Sequence, residues 1–279
     1  MHSVFSFIRR NKVFTIVLAI LFLTGAGLMI NSRYECLYPR LVEEHIKQEG
    51  MESAKGLRVL HITDIHNNMD ALERAVEKAK NTDYDMVIFT GDLYSAMDRM
   101  SYSGDMIKLL SQLSSKAPAY ACLGNHDTER LDNTLRILKQ AGFQVLRNET
   151  TFVNIPRLNL NLKLVGLGDF READFFPENC MLLKTDIKSD IPTIVLSHEP
   201  ETAHLLNDYA WDFMFSGHTH GGQIIIPFMK PLMLGKDETM NKGYYALPNQ
   251  RGVFLSPGLG YSNLPRFRSP GEINLITFE

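Results

Sequence analysis

A layered α/β domain with two packed β-sheets, carried behind a membrane-spanning N-terminal helix, is the architecture the sequence predicts. Three observations point to it. An uncharged apolar run occupies positions 13–30; β-like runs alternate with helical spacing through the first half of the remainder; and short strands punctuated by Gly and Pro fill the second half. At 279 residues, with 44% hydrophobic and 22% charged residues, one α/β domain is the default. These proportions argue against both disorder and a polytopic membrane protein.

The first 12 residues form a short basic segment. The run VFTIVLAILFLTGAGLMI, 13–30, reaches about 27 Å as a helix, close to a bilayer core, and is read as an uncleaved anchor. The competing reading is a cleaved signal peptide, but the run exceeds a normal h-region and only Gly25-Ala26-Gly27 offers a small-residue cleavage site. Arg9-Arg10 invites a twin-arginine reading that the following residues fit poorly. Arg9, Arg10 and Lys12 on one flank against Arg33 and Arg40 on the other favour a cytoplasmic N-terminus. The expectation is a single-pass cell-membrane protein with its main domain on the extracytoplasmic side.

Residues 31–53 are mixed and charged, with a short amphipathic stretch from Leu41 to Ile46, and read as a stalk; the folded domain is then 54–279. Within it Leu57–Thr63 reads as a strand and Met69–Lys80 as a helix. The unit recurs as Met86–Thr90 with a helix near Asp105–Leu113, then as Ala119–Leu123 with a helix from Asp132 to Gln140. Further strands are predicted at Thr151–Ile155, Leu160–Leu167, Thr193–Leu196, Phe213–Phe215, Gln223–Ile226, Gly252–Leu255 and Ile273–Phe278.

Polar clusters follow the apolar strands: Asp64-Ile65-His66, Gly91-Asp92, Gly124-Asn125-His126-Asp127, Ser197-His198-Glu199 and Gly217-His218-Thr219-His220. Singly, several are ordinary. A Gly-Asp pair usually marks a turn, Asp-x-His can be a capping carboxylate beside a surface imidazole, and His198 before Glu199-Pro200 can simply lead into a helix. Together they fall after strand ends, where α/β sheets bind ligands, and imidazole mixed with carboxylate and amide oxygen suits borderline-hard divalent cations. Cys36, Cys122 and Cys180 lack any CxxC spacing and suggest neither a disulfide framework nor a zinc knuckle. A net charge of -3 offers no global attraction to a phosphate backbone, so no nucleic-acid partner is expected.

In that order, these five blocks resemble the calcineurin-like metallophosphoesterase superfamily, and the tail GHTHGGQIIIP with SPGLGYSNLPRFRSPGEI resembles its membrane-associated YaeI/YkuE-type branch. The resemblance implies a four-layered α/β/β/α sandwich. It implies two divalent ions (Mn, Fe or Zn), one held by Asp64, His66 and His220, the other by Asn125, His198 and His218, with Asp92 bridging. A hydroxide shared by the ions would attack phosphorus in line. His126 would stabilise the transition state or protonate the leaving oxygen, with Asp127 holding its tautomer. Ser95 stands where many relatives carry an Arg or Asp, which leaves one phosphate contact without its usual residue.

The expected activity is phosphodiester or pyrophosphate hydrolysis by a membrane-tethered enzyme. Cleavage of UDP-2,3-diacylglucosamine in lipid A synthesis is the specific alternative; a nuclease or a non-catalytic scaffold is the remoter one. Two apolar stretches are candidates for recognising a lipid-linked substrate: Phe175-Phe176-Pro177, and Phe228, Met229, Leu232, Met233 and Leu234, of which Phe228 and Leu232 are singled out. Ordinary loop packing is the alternative for both.

Overall fold

The computed structural model describes residues 12–95, 103–171, 174–176, 178, 191–231, 240–261 and 264–279. Helix α1 (Lys12–Leu37) is followed directly by strand β1 (Arg40–Ile46). Three strand–helix units come next: β2 (Arg58–Ile62) with α2 (Met69–Ala79), β3 (Met86–Thr90) with α3 (Ser103–Ser114), and β4 (Ala119–Cys122) with the single turn α4 (Asn125–Thr128) and α5 (Leu131–Gln140). The remaining elements are β5 (Phe143–Val145), β6 (Glu149–Ile155), β7 (Leu160–Gly166), β8 (Thr193–Leu196), the short turn α6 (Thr202–Leu205), β9 (Phe213–Ser216), β10 (Gly243–Leu247), β11 (Arg251–Leu255) and β12 (Glu272–Phe278).

Two six-stranded sheets result, ordered β1-β12-β2-β3-β4-β5 and β10-β11-β9-β8-β7-β6. Strands β2 to β5 run parallel, as do β7, β8, β9 and β11. The two-residue period of a strand sorts side chains between layers. In β3, Val87 and Phe89 face α2, α3 and α5, while Met86 and Ile88 join the inter-sheet core. In β8, Ile194 and Leu196 enter that same core and Val195 faces away. Three apolar clusters therefore separate four layers. The first is lined by Leu72, Ala75, Met106, Leu110 and Ile137 from the helices; the second lies between the sheets around Val59, Leu162, Phe213, Phe215 and Phe278; the third packs Ala203, Leu206, Trp211 and Met240 on the back of the second sheet. The expected α/β/β/α sandwich is the observed fold, with an outer fourth layer that, among the described residues, is built of one short turn and loops.

Three features differ from the sequence expectation. Residues 40–46, read as part of a stalk, form the edge strand β1, paired in parallel with β12 from Arg40↔Glu272 to Ile46↔Phe278. The folded unit thus starts before residue 54. An edge strand is covered on one side only, so its apolar residues are too few to announce it. Gln223–Ile226 is not a strand: its one pairing is an isolated bridge between Ile224 and Phe267, because the backbone after His220 is spent on tight turns. β5 and β10 were not predicted at all; the first has only three residues and the second is half-exposed.

α1 is long and apolar enough to cross a membrane over Phe14–Leu37, with its most apolar window entirely unburied. Its last turns are docked on the domain. The Ser32 hydroxyl donates to the Arg266 carbonyl (2.6 Å), the Arg266 amide donates to Cys36 Sγ (3.2 Å), the Ser269 amide donates to Glu35 Oε2 (3.3 Å) and Asn68 Nδ2 donates to the Cys36 carbonyl (2.7 Å).

Candidate metal centre

Strands β2, β3 and β4 of one sheet and β8 and β9 of the other end at the same edge of the sandwich, and each releases a polar loop there. From β2 come Asp64 and His66, from β3 Asp92, from β4 Asn125 and His126, from β8 His198, and from β9 His218 and His220. The loops turn sharply. Of the seven residues implied as ligands, Asp64, His66, Asp92, His218 and His220 adopt positive φ angles between 47° and 71°. Non-glycine residues in that region cost of order 1–3 kcal/mol each, so strain gathers where the donors gather.

Six of the seven implied ligands, all but Asn125, are grouped by their donor atoms. His66 Nε2 lies 3.7 Å from Asp64 Oδ1 and 3.4 Å from Asp92 Oδ2; His220 Nε2 lies 3.4 Å from Asp64 Oδ1; His198 Nε2 lies 3.2 Å from Asp92 Oδ2. Two groups of donor atoms are close enough to share an ion each: Asp64, His66 and His220, and Asp92, His198 and His218. A third group, His66, Asp92 and His126, overlaps both and puts His126 at the seam. Asp92 belongs to the second trio and reaches His66 of the first.

The donor set fits divalent cations on two observations. Imidazole nitrogens face each other in pairs, His66 Nε2 and His220 Nε2 at 3.1 Å, and His198 Nε2 and His218 Nδ1 at 3.1 Å. Such pairs need either a proton or a cation between their lone pairs. Asn125 Oδ1 is buried with no hydrogen-bond partner among the described residues, an orphaned acceptor of the kind a ligand satisfies.

Charge in the centre is correspondingly divided. Burial pushes the Asp64 and Asp92 carboxyls up, but neighbouring imidazoles outweigh it: the hydrogen bond with His66 for Asp64 and the charge of His198 for Asp92 hold both below the usual carboxylate range. Burial lowers His66 and His198, and the adjoining carboxylates overcome it, so both are pushed above ordinary imidazole. His218 is driven down to about 3 by burial and the charge of His198, and His220 well below its ordinary value, chiefly by burial. The carboxylates thus demand positive charge within the cluster, from protons or from metal.

Supporting contacts orient the donors. His198 Nδ1 lies 2.7 Å from the Thr90 carbonyl, which makes it the protonated nitrogen and leaves Nε2 free toward Asp92. The His218 amide donates to both Asp64 oxygens, at 3.2 and 3.1 Å, and the His126 amide to Asp92 Oδ1 at 3.0 Å. Gly217 must be glycine because of close approach: a Cβ there would stand 2.3 Å from Asp64 Oδ2 and 2.4 Å from Thr63 Oγ1. Gly217→Ala is expected to displace the Asp64 carboxylate and weaken metal binding roughly 10- to 100-fold, the range for disturbed supporting contacts. Metal titration followed calorimetrically checks it; unchanged affinity would mean the loop relaxes elsewhere.

One expected role is corrected. Asp127 does not hold the His126 ring: its carboxylate accepts from the amides of Asp92 (2.8 Å), Gly124 (2.9 Å) and Leu93 (2.9 Å), while His126 Nδ1 is buried with no hydrogen-bond partner among the described residues. The carboxylate stands at the third position of the α4 turn and caps its start, so both its oxygens are already engaged. Asp127 ties the β3 and β4 loops together instead; burial and the charge of Asp92 push its carboxyl to about 7. His126 packs edge-on against His66, ring centroids 5.3 Å apart.

Phe228 is fully exposed, and Leu232, Met233, Leu234 and Pro177 lie outside the described residues. Phe176 is exposed, whereas Phe175 packs against the third cluster. Sequence reasoning missed Arg266 and Ser269: the Arg266 guanidinium and the Ser269 hydroxyl both donate to the His220 carbonyl, at 3.2 and 2.9 Å. Only the motif SPGLGYSNLPRFRSPGEI, read as a whole, pointed toward them.

Two cation-sized donor clusters at the carboxyl edge of a double-sheet sandwich define a metal-dependent phosphoester hydrolase. The family model for calcineurin-like phosphoesterases matches residues 57–222, and the chain belongs to that family. Among its relatives are UDP-2,3-diacylglucosamine pyrophosphatase LpxG of Chlamydia muridarum, 28% identical over 79% of this chain and 83% of the relative, and phosphodiesterase YaeI of Escherichia coli, 29% identical over 81% and 83%. The uncharacterized metallophosphoesterase YkuE of Bacillus subtilis is 27% identical over 92% of each chain.

Proposed function

We propose that the protein hydrolyses a phosphodiester or pyrophosphate bond at a two-metal centre held close to a membrane surface by α1. The observation that carries this reading is the position of Asp92, which groups with His198 and His218 and lies 3.4 Å from His66 of the other trio. Asp64, His66 and His220 would hold one ion and Asn125, His198 and His218 the other, with Asp92 bridging; their mixed oxygen and nitrogen donors suit manganese, iron or zinc. When bound, the ions supply a hydroxide nucleophile at neutral pH and clamp the phosphoryl oxygens.

The chain's own residues do the rest. The Thr90 carbonyl and the loop amides fix donor directions before substrate arrives. His126, part-buried beside Asp92, would hand a proton to the departing oxygen.

A lipid-linked substrate is favoured within this class by an apolar groove along α1, described below, and by the name of the Chlamydia muridarum relative. The positive-inside bias favours a domain outside the cytoplasm, where the substrate would be an exported phospholipid or cell-wall phosphoester; UDP-2,3-diacylglucosamine requires the opposite orientation. Protease accessibility in spheroplasts separates the two.

The direct test uses the full chain in detergent, because truncation at residue 53 would remove β1 from its sheet. Manganese-loaded protein should cleave a soluble phosphodiester and lose activity to a chelator, with recovery on adding manganese. Turnover that survives complete metal removal, or none with two ions bound, would overturn the reading.

A further inference from the structure

The end of α1 and the loops behind the metal centre enclose an apolar groove of about 730 Å³, within the 300–1,000 Å³ range of small-molecule sites. Leu28, Met29 and Arg33 of α1 form one wall, and Ile224, Ile226 and Phe267 form the facing wall. Among the described residues Arg33 is the one charged residue of the lining, and it follows the apolar run of the helix.

Two chain connections join this groove to the metal centre. Ile224 stands four residues after His220, on the tight turn that leaves it. Tyr261, also in the lining, follows Gly260, whose amide donates to the Asp64 carbonyl at 2.6 Å and which has no room for a Cβ beside Ile65 and His66. The groove floor is tied in as well: Cys36 of the lining accepts from the Arg266 amide, and the Arg266 side chain donates to the His220 carbonyl.

We infer that this groove holds an acyl chain of a lipid-linked phosphoester, leading its phosphate to the Asp92 centre; this rests on the hydrolytic reading above. The occupant follows from continuity. Phe22, Leu23, Met29 and Ile30 are exposed along the same apolar helix that forms the wall, so whatever enters sideways comes from the apolar phase that surrounds the helix. Exposed Ile226, Phe228, Met229 and Leu264 continue that surface on the domain side. Arg33 would meet the headgroup where the chain leaves the bilayer. Since a bilayer is already as apolar as the groove, the site gains little affinity from burial and acts by fixing the depth and orientation of the phosphate.

The test uses the full chain in phosphatidylcholine nanodiscs doped with a phosphodiester lipid that carries a diazirine midway along one acyl chain. Photolysis should place adducts on peptides containing Ile224–Ile226 and Phe267, and Ile226→Trp or Met29→Trp, which fill the groove, should remove most of them. The same variants should lower the ratio of kcat/KM on the lipid to kcat/KM on a soluble phosphodiester about tenfold. Adducts confined to Phe22 and Leu23, meaning annular lipid only, or equal losses on both substrates, would overturn the inference. Groove adducts on a chain that cleaves no phosphoester would support the site and sink the hydrolytic reading. Intact turnover without groove adducts overturns this inference alone.

Discussion

Asp92→Asn is expected to lower kcat/KM on a soluble phosphodiester by about 10³-fold or more and to leave fewer than two ions bound per chain. Asp92 Oδ2 lies 3.4 Å from His66 Nε2 and 3.2 Å from His198 Nε2, and its other oxygen takes the His126 amide. Among the grouped side-chain donors, Asp92 is the carboxylate that joins His198 and His218 while lying beside His66 of the other trio. Two cations at close range repel, and a bridging negative charge offsets that repulsion. Removing the charge forfeits several kcal/mol of ion binding and transition-state stabilisation, and each 1.36 kcal/mol is tenfold in rate. The amide can still accept from His126, so the loop keeps its shape and the loss is electrostatic.

The same substitution should cost stability even without metal. Burial raises the Asp92 carboxyl, but the charge of His198 outweighs it and holds it below the usual carboxylate range, so at neutral pH the folded chain favours the ionised form and loses that contribution with the charge. Metal-free Asp92→Asn should therefore melt below metal-free wild type, and the gap should widen when both are loaded with metal. Calorimetry with and without manganese, alongside metal analysis, checks both. Two tightly bound ions with wild-type kcat/KM would remove Asp92 from the bridging position.

How much of this was legible beforehand depended on range. β3 was read to the residue and α2 to within one residue, because Val87 and Phe89 against Met86 and Ile88, and Leu72, Ala75, Val76 and Ala79, obey local periods. The donors could be picked out because each follows a strand that is itself legible, and parallel strands bring their carboxyl ends to one edge. What failed was set by distant partners. β1 is a strand because β12, more than 200 residues away, offers it an edge, and Asp127 turned toward the Asp92 loop because amides 34 and 35 residues away needed an acceptor. Neither dependence has a local period. Arg266 is the strongest case, since a lone arginine in a loop reads as a surface residue.

Arg266→Met should therefore be among the most destabilising single changes in the domain, about 3–5 kcal/mol, and should also weaken metal binding. The guanidinium is fully buried and donates to five backbone carbonyls: Gly260 at 2.7 Å, Ser269 at 3.0 Å, His220 and Gly258 at 3.2 Å, and Pro257 at 2.5 Å. Burial lowers its pKa to about 10, so it keeps its proton at neutral pH and its charge is met by carbonyl dipoles. Methionine fills a similar volume but leaves those acceptors without donors, and a lysine has three N–H groups for five carbonyls. At roughly 2–4 °C per kcal/mol for a domain of this size, the melting temperature should fall by about 10 °C, with Arg266→Lys in between. The metal effect follows from what those carbonyls belong to: one is that of His220, and Gly258 and Gly260 press against Asp64 and His66. Removing the tie therefore loosens chiefly the donors of one ion, while the His198 ring of the other keeps its bond to the Thr90 carbonyl. A titration that resolves two binding steps should show one weakened and one near wild type; equal weakening of both, or a melting temperature within about 2 °C of wild type, would show that the carbonyls find other donors.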